Sequence, residues 1–254
     1  MARIEIGEIR ISTDEIQDLL ATDHPMVERF RFEKSQGWRE GLSFALHIEP
    51  RAGVRYRQQR DARGRRVAPV WRTLSGSERV GQGNRAIWPE GGELVAENCT
   101  FFPNQEFNDL GIGSALYVAM ERFYRAIGIR RVTLLAVDVG VYVWARQGFA
   151  FADEDARSLV PGLERFAREH GAGVSLSPAD FEECWDLANF DVPGLTVDGD
   201  RLGKAFMLEH APAWHGVKYL DDERHSAVAE ASRRETFARL PDRIEGATGE
   251  LEVR

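Results

Sequence analysis

Cysteine is almost absent from this 254-residue chain. Its two copies, Cys99 and Cys184, give neither a disulfide framework nor zinc spacing, and a reducing cytoplasm is the expected compartment. Lysine is nearly as scarce, at positions 34, 204 and 218 only, so almost all positive charge is arginine. No window approaches the roughly 18 apolar residues that a spanning helix requires, and the first ten residues carry no apolar signal core, so a soluble protein is expected, with no membrane partner. A net charge of −8 excludes a generally basic nucleic-acid binder. There is no Gly-Lys-Ser or Gly-Lys-Thr phosphate loop. Nor is there a dinucleotide fingerprint, because Leu116 stands where the third glycine would fall. His210 and His215 lack a third ligand at zinc spacing, and no metal is expected.

What is present suffices for a packed core: 43% hydrophobic residues, with six Trp and 14 Phe. At this length one core domain with an appended segment is expected. Ile4, Ile6, Ile9 and Ile11 suggest an edge strand, and Thr13-Asp14-Glu15 starts a short helix. Leu42, Phe44, Leu46 and Ile48 alternate strictly, as in a half-buried strand. Residues 51–72 hold eight arginines against Asp61 alone and read as a hairpin turning at 61–64. Its arginines serve either an anionic partner, such as RNA or an acidic carrier protein, or simply a solvated face. A strand from Val80 to Trp88 and a turn at Pro89–Gly92 lead to the strand Leu94–Phe102. Strict alternation there puts Glu97 on one face with Val95, Cys99 and Phe101, where a carboxylate must be paired or open into a cavity. A thioester attack through Cys99 is disfavoured, since no histidine is near it in sequence.

The organising stretch follows. Asn108-Asp109-Leu110-Gly111-Ile112-Gly113-Ser114 is a glycine turn opening a helix over Ala115–Ile127, with Leu116, Met120, Phe123 and Ile127 as the core stripe and Gly128 as its stop. Val132 to Val137 is apolar on both faces, as in an interior strand, and Ala145-Arg146-Gln147-Gly148-Phe149 closes the stretch. The unsatisfied amides and dipole of such a helix start favour an anion, and Gly111 and Gly113 permit close backbone approach.

In this order the residues resemble the GNAT superfamily of acyl-CoA-dependent N-acyltransferases, whose motif is a Gly-x-Gly/Ala turn opening a helix with a Gly-Phe pair further along. Here Gly111 and Gly148 lie 37 positions apart, and the resemblance covers roughly residues 40–152. It implies a mixed α+β fold with a GNAT-like mixed central sheet flanked by helices, residues 1–152 forming the core. Acetyl-CoA or another acyl-CoA would lie in a cleft of the sheet, its pyrophosphate on Asn108, Asp109 and the amides of Leu110 to Ser114, its pantetheine arm along Thr100, Phe101 and Phe102. Glu97, 14 residues before Gly111, stands where some members place a general base, and beside Val95 and Phe101 it would be suited to accept a proton from an ammonium. The chain departs from the pattern twice. Asn108 occupies the usual Gln/Arg position, and Trp144, whose indole is no proton donor for catalysis, occupies that of the acidic tyrosine, with Tyr142 two residues earlier as a substitute.

Beyond Phe151 the resemblance fades. Helices are expected over 153–170, 177–188, 201–209 and 226–240, with a loop at Pro212–Val217 and a mobile tail over 241–254. Residues 153–240 would then form a mainly helical extension that lids the cleft, carries a partner or makes a homodimer surface. The sequence thus points to an acyltransferase acting on an unidentified amine. A binding or assembly module that has lost catalysis, and a transferase drawing an acyl or aminoacyl group from an RNA carrier, stand beside it.

Overall fold

The structure is a computed structural model that describes residues 3–6, 9–36, 41–60, 65–152, 158–181 and 183–245. The turn expected at 61–64, the start of the helix expected at 153 and the end of the tail lie outside the described residues. The protein is of mixed α+β class, with seven α-helices among the described residues. In chain order the elements are β1 (Arg3–Ile6), β2 (Ile9–Ser12), α1 (Thr13–Leu19), β3 (Val27–Ser35), β4 (Leu42–Pro50), β5 (Arg55–Arg60), β6 (Arg66–Thr73), β7 (Gly81–Glu90), β8 (Glu93–Pro103) and α2 (Ile112–Ala126). There follow β9 (Arg131–Ala136), α3 (Gly140–Arg146), β10 (Ala150–Phe151), α4 (Leu159–Glu169), α5 (Cys184–Asn189), β11 (Thr196–Val197), β12 (Asp200–Arg201), α6 (Leu202–Glu209), β13 (Trp214–Tyr219), α7 (Glu223–Ala238) and β14 (Ile244–Glu245). They fall into two compact units, Met1–Arg130 with Arg233–Arg254, and Arg131–Ser232.

In the first unit β3, β4, β7 and β8 pair in that order, all antiparallel. The β7–β8 hairpin turns on two residues, Gly91 and Gly92, both at positive φ, as a turn matching the strand twist requires. Ser12 and Glu15 form a reciprocal capping box at α1. Helix α2 buries Leu116, Met120 and Phe123 along the expected stripe. It stops where expected, with Gly128 at φ 78° and the Ile129 amide donating to the Tyr124 carbonyl at 2.9 Å. The arginine-rich hairpin is real: β5 pairs with β6 on one side and with β14 on the other, forming a separate three-stranded sheet.

In the second unit β9, β13 and β10 form an antiparallel sheet with β13 in the middle. This corrects the loop expected at Pro212–Val217. Trp214, Gly216 and Lys218 face inward, an alternation hidden in the sequence because two of the three are not apolar. A Cβ at Gly216 would lie 2.7 Å from the Trp214 ring, so the glycine makes room for the indole. Lys218 is fully buried and donates to the Gln147 carbonyl at 2.6 Å. Strand β9 differs from expectation too: Val132, Leu134 and Ala136 are buried while Leu135 and Val137 are each 48% exposed. The helix expected over 177–188 divides. Ser177 caps a single 3-10 turn, Phe181 then adopts an extended conformation and buries its ring 5.8 Å from Phe190, and α5 starts afresh at Cys184. Burying that aromatic ring outweighs continuing an otherwise well-signalled helix.

Candidate functional site

The glycine turn heads α2 and lies wholly in the first unit. Asp109 (φ 65°) and Gly111 (φ 74°) both take left-handed conformations, and Gly111 is the N-cap of the helix with no side-chain cap. No acidic residue stands in the first turn, so the protein itself supplies no carboxylate to the helix dipole there. Two distant side chains fasten the turn. His24 Nε2 lies 2.8 Å from the Leu110 carbonyl oxygen, and Arg243 donates to the Asp109 carbonyl at 2.9 Å. A planar trans peptide points its C=O and N–H in opposite directions. Holding those two carbonyls therefore directs the Leu110 and Gly111 amides the other way. Backbone amides at a helix start are groups that can receive an anion.

His24 is suited to its task by being neutral. Its Nδ1 accepts from the Met26 amide at 3.3 Å, which fixes the proton on Nε2, facing Leu110. Burial lowers its pKa to about 4, against a smaller upward pull from the Leu110 carbonyl. Neither His24 nor Arg243 was legible in sequence as part of the site. They stand 86 and 134 residues from their partners, outside any local motif.

Strand β8 leads into the turn and carries the remaining first-unit candidates. Its register with β7 shifts between Asn84 and Arg85, so that Asn98 faces Arg85 and Thr100 faces Asn84, leaving Cys99 as an extra, bulged residue. The bulge reverses the expected faces. Asn98 accepts from the Tyr124 hydroxyl at 3.0 Å, and Phe101 packs so closely on Gly113 that a Cβ there would sit 3.0 Å from its ring. Both contacts are with α2. Phe101 therefore leaves the face of Glu97, and the strict alternation expected along Leu94–Phe102 is corrected.

Arg85 holds the bulge. Its buried guanidinium donates to the Asn84 and Thr100 carbonyls at 2.8 and 2.7 Å, and desolvation lowers its pKa. A buried arginine bound to carbonyl oxygens exposed by a broken ladder satisfies groups that would otherwise stay orphaned.

Glu97 lies opposite Ala86, between Val95 and Cys99, with one carboxylate oxygen buried. Cys99 packs against the Ala86, Trp88 and Val95 cluster and donates weakly to the Glu97 carbonyl. Thr100 accepts from Asn84 Nδ2 at 3.0 Å, and Phe102 is 63% exposed. Asn108 is half-buried and Asp109 exposed; Leu110, Gly111 and Ile112 are buried, and Gly113 and Ser114 partly so. The Asn108–Ser114 turn and the end of β8 are thus brought together through the Phe101–Gly113 contact. A shallow cavity of about 420 Å³ near Ile9, Leu94 and Ile127 lies at the opposite, carbonyl end of α2 and does not suit an anion.

The remaining candidates belong to the second unit. The Tyr142 ring carries Lys204 Nζ at 5.9 Å, and that lysine is paired with Asp200 at 2.7 Å. Trp144 packs edge-on against Phe149 at 5.4 Å, above Gly140, where a Cβ would lie 3.2 Å from the indole. Gly148 has φ 78°, and a Cβ there would come 2.1 Å from the His225 carbonyl oxygen, so the Gly-Phe pair serves packing. Cys184 is buried, which pushes its thiol pKa well up. Among the described residues no group of three His, Cys, Asp or Glu is placed to hold a metal ion, and no helix is long and apolar enough to cross a membrane.

No protein-family model matches the chain, and no curated protein matches it in sequence. The class that its architecture defines is mixed α+β.

Proposed function

We propose that this protein is a GNAT-like acyltransferase that moves an acetyl or other acyl group from acyl-CoA to an amine. The observation that carries the reading is the turn at Asp109–Gly111, whose carbonyls are held by Arg243 and His24 so that its amides face an incoming anion. The order of a bulged strand, glycine turn, 15-residue helix and further strand supports it. The amides of Leu110 to Ser114 receive the pyrophosphate of coenzyme A, and Thr100 to Phe102 adjoin its pantetheine arm. Glu97 takes a proton from the acceptor ammonium. The freed amine attacks the thioester carbonyl, the C–N bond forms, the C–S bond breaks, and the departing thiolate is protonated to coenzyme A.

An amine screen with acetyl-CoA, following release of the free thiol, tests this reading. Glu97→Gln is expected to lower kcat by roughly 10²- to 10⁴-fold with coenzyme binding unchanged. Full turnover in that variant removes Glu97 from the mechanism. A second reading, a coenzyme-binding module without catalysis, is favoured by the packing of Trp144 on Phe149 and of Tyr142 on Lys204, which engages both aromatic rings near the position of the family's acid. Acetyl-CoA binding with no thiol release from any amine would support it.

A further inference from the structure

The three-stranded sheet β14–β5–β6 supports the α2 turn through Arg243, whose carbonyl accepts from the Arg57 amide at 2.8 Å, and it has two chemically different faces. Its inner face packs inward: Tyr56 and Ile244 are buried, Tyr56 lies 5.3 Å from Phe107, and Arg72 is paired with Glu106 at 2.5 Å and with Glu78 at 3.4 Å. Its outer face points to water. Register places Arg57 opposite Trp71 and Arg55 opposite Thr73. The Arg55 guanidinium sits 5.7 Å from the centre of the Trp71 ring, which is still 45% exposed. Glu245, beside Arg55 in the register, is the carboxylate paired to it, whereas Arg57 has no ion-pair partner among the described residues.

Trp71 and Val67, which share this face of β6, leave apolar surface exposed beside two arginines, and exposed apolar surface rimmed by charge marks an interaction site. The charge distribution says what. Residues 51–72 carry a net +7, from eight Arg and Asp61, which leaves −15 on the rest of a chain whose total is −8. This stretch is therefore a net-positive element of an otherwise acidic protein. This concentrates the attraction for a polyanion there and repels one elsewhere. We infer that the outer face of this sheet binds single-stranded nucleic acid, with a base stacked on Trp71 and the flanking phosphates on Arg55 and Arg57. Every base offers a π face to an aromatic platform, and arginine adds both stacking and charge. An acidic peptide fits less well. It would add to the free edge of β6, but Pro69 in mid-strand removes a donor from that edge, and Trp71 would find no matching group.

Fluorescence anisotropy with labelled oligo(U) and oligo(dT), on the full chain, tests the inference. Binding is expected in the micromolar range at low salt. Its logarithm should fall with log salt at a slope of about −0.7 per neutralised phosphate, hence about −1.4 for Arg55 and Arg57 together. Trp71→Ala should weaken binding at least about fivefold and leave the slope unchanged. Arg57→Gln should make the slope shallower by about 0.7. Glu245→Gln, which removes the carboxylate from the face, should tighten binding. All three side chains lie on the outer face, and circular dichroism confirms that each variant is folded. No binding at about 100 µM protein in low salt overturns the inference. So does binding that is indifferent to Trp71, or that oligoglutamate displaces as well as an oligonucleotide does. Arg57 meets the support of the α2 turn only through its backbone amide, which donates to the Arg243 carbonyl at 2.8 Å, and the three substitutions change outer-face side chains, so acetyl-CoA binding should be the same in all three variants, which keeps this test separate from that of the acyltransferase reading.

Discussion

Gly111 and Gly148 are the two glycines on which the family resemblance rests, and both have a φ near +75°, yet they are needed for different reasons. At Gly148 a Cβ would strike the His225 carbonyl oxygen at 2.1 Å, a backbone atom that cannot yield. At Gly111 the nearest atoms belong to side chains, Thr236 Cγ2, Phe237 Cε1 and His24 Nε2 at 3.3, 3.5 and 3.6 Å, and the main demand is conformational. Gly148 lets two backbones of the second unit meet. Gly111 lets a chain turn into a helix through a left-handed N-cap. A motif can therefore join a glycine required by a close backbone approach to one required by its backbone conformation, and the two separate under substitution.

The largest effect is expected at Gly148. Gly148→Ala combines a left-handed φ with a backbone clash and should remove more than about 3 kcal/mol, a fall in Tm of roughly 10 °C by thermal unfolding. A variant as stable as the parent would mean that the His225 contact is not made.

The second effect concerns the fastening of the Gly111 turn. His24 is neutral in the fold, with a pKa of about 4 against 6.5 when unfolded, so the unfolded state binds more protons between those values. Its contribution is whole above pH 6.5 and is lost as pH falls towards 4, about 2 kcal/mol by pH 5 and about 3 by pH 4. Denaturant unfolding of the parent and of His24→Gln across this range should diverge in slope. Parallel curves would show that His24 titrates normally.

The smallest effect on stability is expected at Gly111 itself. Gly111→Ala meets side chains at 3.3 Å or more and no backbone, and should cost about 1–2 kcal/mol, the penalty of left-handed backbone for a residue with a Cβ. A loss as large as that of Gly148→Ala would erase the distinction between the two positions.

How far these features could be read from sequence follows from the range of the interactions behind them. Helix α2 was legible because Leu116, Met120 and Phe123 recur at helical period and Gly128 stops the helix locally. The turn was legible from Gly111 and Gly113, but its fastening was not, since His24 and Arg243 approach it from remote segments. The alternation along β8 broke at Cys99 because a bulge depends on the partner strand, and Arg85, which stabilises it, belongs to β7. Strand β13 was hidden because its inward positions include Gly216, chosen for Trp214, and Lys218, chosen for the Gln147 carbonyl. Apart from Gly216, whose neighbour Trp214 is two positions away, each miss is a case where a partner distant in sequence decided the residue.

Titration calorimetry of acetyl-CoA into the parent protein and into Gly111→Ala tests the central claim most directly. The account predicts micromolar binding to the parent, weakened at least about tenfold in the variant, whose thermal unfolding shifts by only a few degrees. Heat of binding unchanged between the two, or none at millimolar acetyl-CoA, would contradict it.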